Sequence, residues 1–320
     1  MKDRFGRTID YMRISITDRC NLRCAYCMPY AFPRLAHSDI LRYEEILRVV
    51  RAAVRLGITR FKVTGGEPFA RKGAADFIAM LKAEPGVECV TVTTNGTHLI
   101  EALPRLVEAG IDGINVSLDA VAPERYRQIT GSDQAEMVLH AIEQCAKSGI
   151  RTKVNSVLLE DNHDQIISLA ELAQRLNVDV RFIELMPIGC GGEYSGPDAD
   201  IVLRRLKEVY PGLAPVREVR GNGPAVYYAD ERLLGRIGFI TARSCSFCAS
   251  CNRIRLTSTG LIKPCLCDGG TVDLRALLRG GATDGEISAA LKNAVWDKPA
   301  AHGIVGGNVT ERRRMNQIGG

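Results

Sequence analysis

Between Tyr11 and Leu185 the chain alternates short apolar, β-branched runs with longer segments of helical period, and this rhythm constrains the fold more than any other feature. The strand-like runs are Tyr11 to Ile16, Ile58 to Val63, Glu88 to Thr93, Asp112 to Leu118, Arg151 to Leu158 and Val178 to Leu185. Helical spacing covers Tyr43 to Leu56, Ala74 to Lys82, Leu99 to Ala109, Gln134 to Ser148 and Gln165 to Leu176. Strands that alternate with helices cross over in right-handed βαβ units and pair in parallel. Glycines 57, 86, 110 and 149 stand at the ends of helical segments, where a left-handed C-cap is favoured. An open or partial α/β barrel is expected.

In such a barrel functional groups collect at the carboxyl ends of the strands. After the first run comes Cys20-Asn-Leu-Arg-Cys24-Ala-Tyr26-Cys27, after the second Thr64-Gly65-Gly66-Glu67-Pro68, and after the third Thr93-Thr94-Asn95-Gly96. Ser117-Leu-Asp119 ends the fourth, Lys153 and Asn155 lie on the fifth, and Glu184-Leu-Met186-Pro187 follows the sixth. Polar or glycine-rich residues at every exit predict one shared pocket.

Three thiols at C-x3-C-x2-C spacing on one loop predict a metal site. Zinc would take a fourth donor, and His37 is the nearest candidate. An iron-sulfur cluster normally takes four thiolates, so three would leave one iron open for chemistry, with Tyr26 beside it. The chain has eleven cysteines, and Met1-Lys-Asp-Arg-Phe-Gly6 has no apolar core of an export signal. A cytoplasmic, reducing setting is expected, in which clustered thiols serve metal or redox chemistry. No run approaches the roughly 18 apolar residues of a membrane span. The net charge of +5 suits an anionic small molecule or a weak nucleic-acid surface alike.

From Ile188 to Asp200 the composition turns to Gly, Pro and Asp and reads as a linker. Shorter runs follow at Ala225 to Tyr228, Arg236 to Thr241 and Ile254 to Thr257, predicting a small antiparallel element, with helices over Val272 to Leu278 and Asp284 to Ala294. The expected division is residues 1–188 as the barrel and 189–320 as a C-terminal region. That region holds Cys245, Cys248, Cys251, Cys265 and Cys267, a spacing that a four-cysteine zinc ribbon would also show. Arg253 and Arg255, two apart on a strand, share one face and suit a phosphate or a purine edge. Neither GxxxxGK[ST] nor GxGxxG occurs, which excludes a P-loop or a dinucleotide fold.

C-x3-C-x2-C after a first strand, an aromatic before the third cysteine, and Gly-Gly-Glu-Pro after the second strand resemble the radical S-adenosylmethionine (SAM) enzymes, which use a partial (β/α)6 barrel. Thr17-Asp-Arg-Cys20, Cys27-Met-Pro, Phe247-Cys248-x2-Cys251-Asn-Arg-x-Arg255-Leu-Thr, Cys265-Leu and the terminal Gly319-Gly320 resemble, more closely, the GTP 3',8-cyclase family of molybdenum cofactor biosynthesis. The resemblance implies a first [4Fe-4S] cluster on Cys20, Cys24 and Cys27, with SAM on its free iron and against Tyr26, Gly66, Ser117 and Met186. It implies a second [4Fe-4S] cluster on Cys248, Cys251 and Cys265, whose open iron meets the guanine of GTP. GTP contacts would come from Arg13, Lys62, Thr93, Lys153 and Arg253-Ile254-Arg255, and the Gly319-Gly320 tail would reach the active site. Further partners so implied are an electron donor, the next pathway enzyme (cyclic pyranopterin monophosphate synthase) and a second copy in a homodimer, with neither membrane nor nucleic acid.

Departures from the family pattern stand at Lys62, where arginine is usual, at the extra Cys245 and Cys267, and over Ile188 to Ser195. Either extra cysteine could cap the second cluster. Two other readings fit part of the chain. One is a radical SAM peptide-maturation enzyme with a four-cysteine auxiliary cluster. The other is a zinc-ribbon nucleic-acid-binding protein using Arg312 to Arg314.

Overall fold

The computed structural model describes residues 1–30, 35–244, 247–270, 272–304 and 309–319. Six strands form the body of one sheet in chain order: β1 (Tyr11–Ser15), β2 (Arg60–Thr64), β3 (Cys89–Thr94), β4 (Gly113–Ser117), β5 (Thr152–Leu158) and β6 (Asp179–Glu184). All neighbouring pairs among them are parallel. Helices α1 (Tyr43–Arg55), α2 (Ala74–Ala83), α3 (Leu99–Glu108), α4 (Pro123–Thr130), α5 (Ala135–Lys147) and α6 (Ile166–Arg175) make the crossovers. Their apolar stripes, such as Ile46, Val49, Val50 and Ala53 on α1, pack on outward residues such as Met12, Ile14 and Val63.

The strands therefore have two different faces. On β1, Met12 and Ile14 are fully buried in the core, and Arg13 between them faces the barrel interior.

The region after Glu184 departs from the expected small antiparallel element. It adds α7 (Ala199–Val209), β7 (Ala214–Val216), β8 (Val226–Ala229), β9 (Ile237–Ile240), β10 (Arg253–Leu256), β11 (Leu261–Lys263), β12 (Val272–Asp273), α8 (Leu274–Arg279), α9 (Asp284–Trp296) and α10 (Met315–Ile318). β10 pairs in parallel with β1, and β9 pairs in parallel with β6. Antiparallel pairing is confined to the outer strands β11 and β12 on one side and β8 and β7 on the other. The cause is the open barrel itself, because β1 and β6 would otherwise present unpaired backbone edges. One sheet, ordered β12-β11-β10-β1-β2-β3-β4-β5-β6-β9-β8-β7, therefore runs through both halves of the chain. Ile237, Ile254, Leu274 and Leu291 join the same core as the barrel strands. At the end of the expected linker, from Ala199 onward, the chain forms α7, with Ala199, Val202 and Leu206 buried along one stripe.

Candidate active site

Register brings the basic residues together. Arg13 pairs with Arg255 on one side and with Lys62 on the other, and Tyr11 pairs with Arg253. Residues directly opposite in a sheet share a face, so these side chains line the barrel interior. They open on a cavity of about 330 Å³ at the carboxyl ends of the strands.

Both cysteine groups reach this cavity. Cys20, Cys24 and Cys27 line it beside Tyr26, Gly66, Ser117 and Met186, and Cys248, Cys251, Cys265 and Cys267 line it beside Arg253 and Arg255. Arg13, Lys62 and Thr93 complete the expected set on its wall. The expected single pocket at the strand exits is present, and groups from both ends of the sequence build it.

Two expected contacts are placed differently. Ile254 is fully buried in the hydrophobic core, since alternation along β10 turns it away from the flanking arginines. Lys153 lines a second cavity of about 400 Å³ at the amino ends of the strands. There its ammonium donates to the Tyr227 hydroxyl at 2.8 Å and to the carbonyl of Arg220, with Asp179 at 3.6 Å. Tyr11, Lys62, Arg181 and Gly223 line both cavities. Gly319 presents its carbonyl to Arg255 Nη1 at 2.8 Å, whereas Gly320 and Cys245 lie outside the described residues.

The first cysteine loop is held from several sides. Gly66 N–H donates to the Thr17 carbonyl at 2.8 Å and Glu67 N–H to the Arg19 carbonyl at 2.7 Å. A Cβ on Gly66 would meet the carbonyl carbon of Arg19 at 2.6 Å, so only glycine allows this approach. The Glu67 carboxylate accepts from Asn95 N at 2.6 Å, Phe69 N at 3.0 Å and the Thr94 hydroxyl at 2.8 Å, tying the exits of β2 and β3 together. Burial nevertheless raises its pKa to about 7. Asp119 accepts from the Tyr26 hydroxyl at 2.7 Å and from Val157 N at 2.8 Å, and burial raises its pKa to about 6.

Sequence reasoning placed Asp119 at a strand exit without a role, and it missed Arg181. Arg181 is buried and donates to Asn115 Oδ1 at 2.6 Å and Asn155 Oδ1 at 2.8 Å. The inward phase of β6, opposite Asn155 on β5, was the available signal.

The thiols of the first set resist ionisation. Burial, reinforced by Cys27 and Asp119, pushes Cys24 well above the ordinary thiol value, and burial pushes Cys27 up to about 12. Neighbouring cations of a bound cluster would reverse that balance. At the second group burial also opposes ionisation of Cys251, but Arg253 and Lys298 outweigh it and the pKa falls below its ordinary value. Cys265 lies lower still, chiefly because Cys267 donates its S–H to it. Lys298 is buried and donates to the carbonyls of Arg253 at 2.9 Å and Pro264 at 2.5 Å, bracing both arms of the group. Among the described residues no set of three His, Cys, Asp or Glu side chains is arranged for a single metal ion. Two thiol sets on one cavity, with cations beside the second, fit a larger anionic cluster.

The cavity between the two thiol sets is strongly basic. Burial, then the facing Arg181, Arg13 and Lys153, holds Lys62 well below its ordinary pKa, and burial with Arg13 and Arg253 lowers Arg255 to about 9. Crowded cations in a low-dielectric wall favour a polyanionic ligand.

The Radical SAM superfamily pattern matches residues 14–173, and the Molybdenum Cofactor Synthesis C pattern matches residues 178–304. GTP 3',8-cyclase of Clostridium perfringens (strain SM101 / Type A) is 41% identical over 323 residues, covering 100% of both chains. This chain belongs to the GTP 3',8-cyclase family. GTP 3',8-cyclase of Pelotomaculum thermopropionicum is 42% identical over 327 residues, again over 100% of both chains. The fold of this GTP 3',8-cyclase family member is also similar to Streptococcus suis SuiB bound to S-adenosylmethionine. There the TM-score is 0.63 at 16% identity, over 95% of this chain and 68% of that one. Among the described residues no helix is long and apolar enough to cross a membrane.

Proposed function

We propose that this chain cyclises GTP to (8S)-3',8-cyclo-7,8-dihydroguanosine 5'-triphosphate, the first step of molybdenum cofactor biosynthesis. The observation that carries the reading is the convergence of both thiol sets and the Arg255–Arg13–Lys62 row on one cavity. Full-length identity to curated cyclases supports it.

Cys20, Cys24 and Cys27 would hold one [4Fe-4S] cluster, and Cys248, Cys251 and Cys265 a second. When bound, the first cluster with SAM would supply radical chemistry: a hydrogen atom passes from ribose C3' of GTP to the 5'-deoxyadenosyl carbon, C3' bonds to C8 of the guanine, and one electron from the donor and one proton are then added to the guanine ring, giving an isomer of GTP. The chain's own residues orient and enclose. Gly66, Ser117 and Met186 line the SAM end, and Asp119 fixes the Tyr26 ring through its hydroxyl. Arg13, Lys62, Arg181 and Arg255 hold the triphosphate in register, which sets C3' against the reacting partner. Thr93 and Arg253 line the same wall, Arg253 lying over the Phe247 ring at 4.9 Å. Lys153 serves the triphosphate from the amino-end cavity, and the Gly-Gly tail completes the pocket. In the cytoplasm, an electron donor feeds the reaction and the product passes to cyclic pyranopterin monophosphate synthase. A homodimer belongs to the same reading.

The test is an anaerobic assay of reconstituted protein with SAM, a strong reductant and 3'-deuterated GTP. Deuterated 5'-deoxyadenosine together with a GTP isomer is the expected result. Deoxyadenosine with no GTP-derived product, from protein with both clusters verified, rejects the cyclase reading.

A further inference from the structure

The segment after α9 runs Lys298-Pro299-Ala300-Ala301-His302, and several contacts fasten it to the second cysteine group. Arg7, held by Asp3 at 2.6 Å, donates to the carbonyls of Cys248 at 2.9 Å, Ala300 at 2.9 Å and Pro299 at 2.6 Å. The His302 main-chain N–H donates to Cys248 Sγ at 3.3 Å. His302 is thus clamped to the wall that presents Cys248, and it lines the main cavity with Cys251, Cys265, Arg253 and Arg255.

The chemistry of its ring is set by a second contact. Nδ1 accepts from the Ile304 N–H at 3.3 Å, so in the neutral ring the proton sits on Nε2. That Nε2 is buried and has no hydrogen-bond partner among the described residues. A buried donor without an acceptor is unfavourable, and native structures seldom keep one unless a ligand completes it. Arg253, Arg255 and Lys298, which line the same cavity, are donors themselves and offer it no acceptor.

We propose that the Nε2–H of His302 donates a hydrogen bond to the acceptor edge of the guanine, where O6 and N7 lie side by side, and so positions the base over the second cysteine group. This rests on the cyclase reading of the cavity. His302 is a base-positioning residue: it adds a neutral donor where the arginines supply charge.

The experiment uses the anaerobically reconstituted full-length chain, with iron and sulfide counted in every sample. GTP binding is measured by equilibrium dialysis for wild type, H302A, H302Q and R255A, and electron paramagnetic resonance of the second cluster is recorded on the same samples. H302A is expected to weaken GTP binding about tenfold. H302Q, whose amide N–H reaches a similar place, is expected to stay within about threefold of wild type. Unchanged GTP affinity in H302A, with binding lost in R255A, overturns the inference and leaves the cyclase reading standing. A shifted cluster signal in H302A without GTP, at unchanged affinity, assigns the donor to the cluster and also overturns it. If H302A loses iron, H302Q decides: full iron with restored affinity supports the proposal, and full iron with H302A-like weakness refutes it. Wild type that binds no GTP at all removes the cyclase reading, and the inference with it.

Discussion

Arg255 Nη1 donates to the carbonyl oxygen of Gly319 at 2.8 Å, so a strand of the barrel wall holds the main chain at Gly319. Gly319 adopts φ +72, and a Cβ there would meet Ser15 Cβ at 2.9 Å, so the tail fits only as glycine. Arg255→Ala should spare basal release of 5'-deoxyadenosine within about threefold while GTP cyclisation falls about 100-fold or more, because the lost contacts act on substrate position. Parallel quantitation of both products checks this. Equal loss of both with intact clusters contradicts the role.

Gly66→Ala acts on the other thiol set. The added methyl would press on the Arg19 main chain and on the Asp18 carbonyl at 2.8 Å, displacing the turn that leads into Cys20. SAM affinity should fall by about tenfold or more, since the turn can relieve the clash only by moving the loop. Binding measured by dialysis against reconstituted protein tests it, and wild-type affinity would refute it.

Asp119 should leave a signature in pH dependence. Its folded pKa of about 6 lies above the ordinary aspartate value, so the folded state binds the proton more tightly. Its contribution to stability is fullest at low pH and is lost as pH rises through about 6. Asp119→Asn removes this titration. The stability of the variant relative to wild type, from urea unfolding of cluster-free protein, should therefore shift in its favour by about 2 kcal/mol between pH 4.5 and 7.5. A flat difference across that range would show that Asp119 does not titrate there.

Lys298→Met keeps the apolar stem but removes the ammonium from the carbonyls of Arg253 and Pro264. Two buried acceptors lose their donor, and the second thiol set loses a neighbouring cation. Reconstituted protein should then retain roughly half its iron, with the first cluster still visible by electron paramagnetic resonance. Full iron content in the variant would count against this bracing role.

Much of the barrel could be read from the chain because each strand carries its own apolar run and each exit its own polar cluster. Tyr11 to Ile16 and Ile58 to Val63 lie within one or two residues of the observed bounds. What local pattern could not carry was pairing between distant segments. The run at Ile254 suits an antiparallel ribbon as well as a parallel partner for β1, and only the open edge of the barrel decides between them. α7 was hidden because Asp198 sits in a Gly- and Pro-rich stretch that reads as linker, although Ala199, Val202 and Leu206 already keep helical spacing. Lys153 was placed at the wrong depth and Arg181 was missed for another reason. Both are inward cations, and the depth at which each sits follows from strand stagger.

The pairing of β10 with β1 also governs how the molecule is made. The β1 edge and the first cysteine loop emerge from the ribosome long before the strand that covers that edge has been synthesised. During that interval the nascent barrel lacks the strand that later carries Arg253 and Arg255 alongside β1. Arrival of the carboxyl-terminal third covers that edge and brings the second thiol set to the cavity, so the chamber is the last part of the fold to be completed.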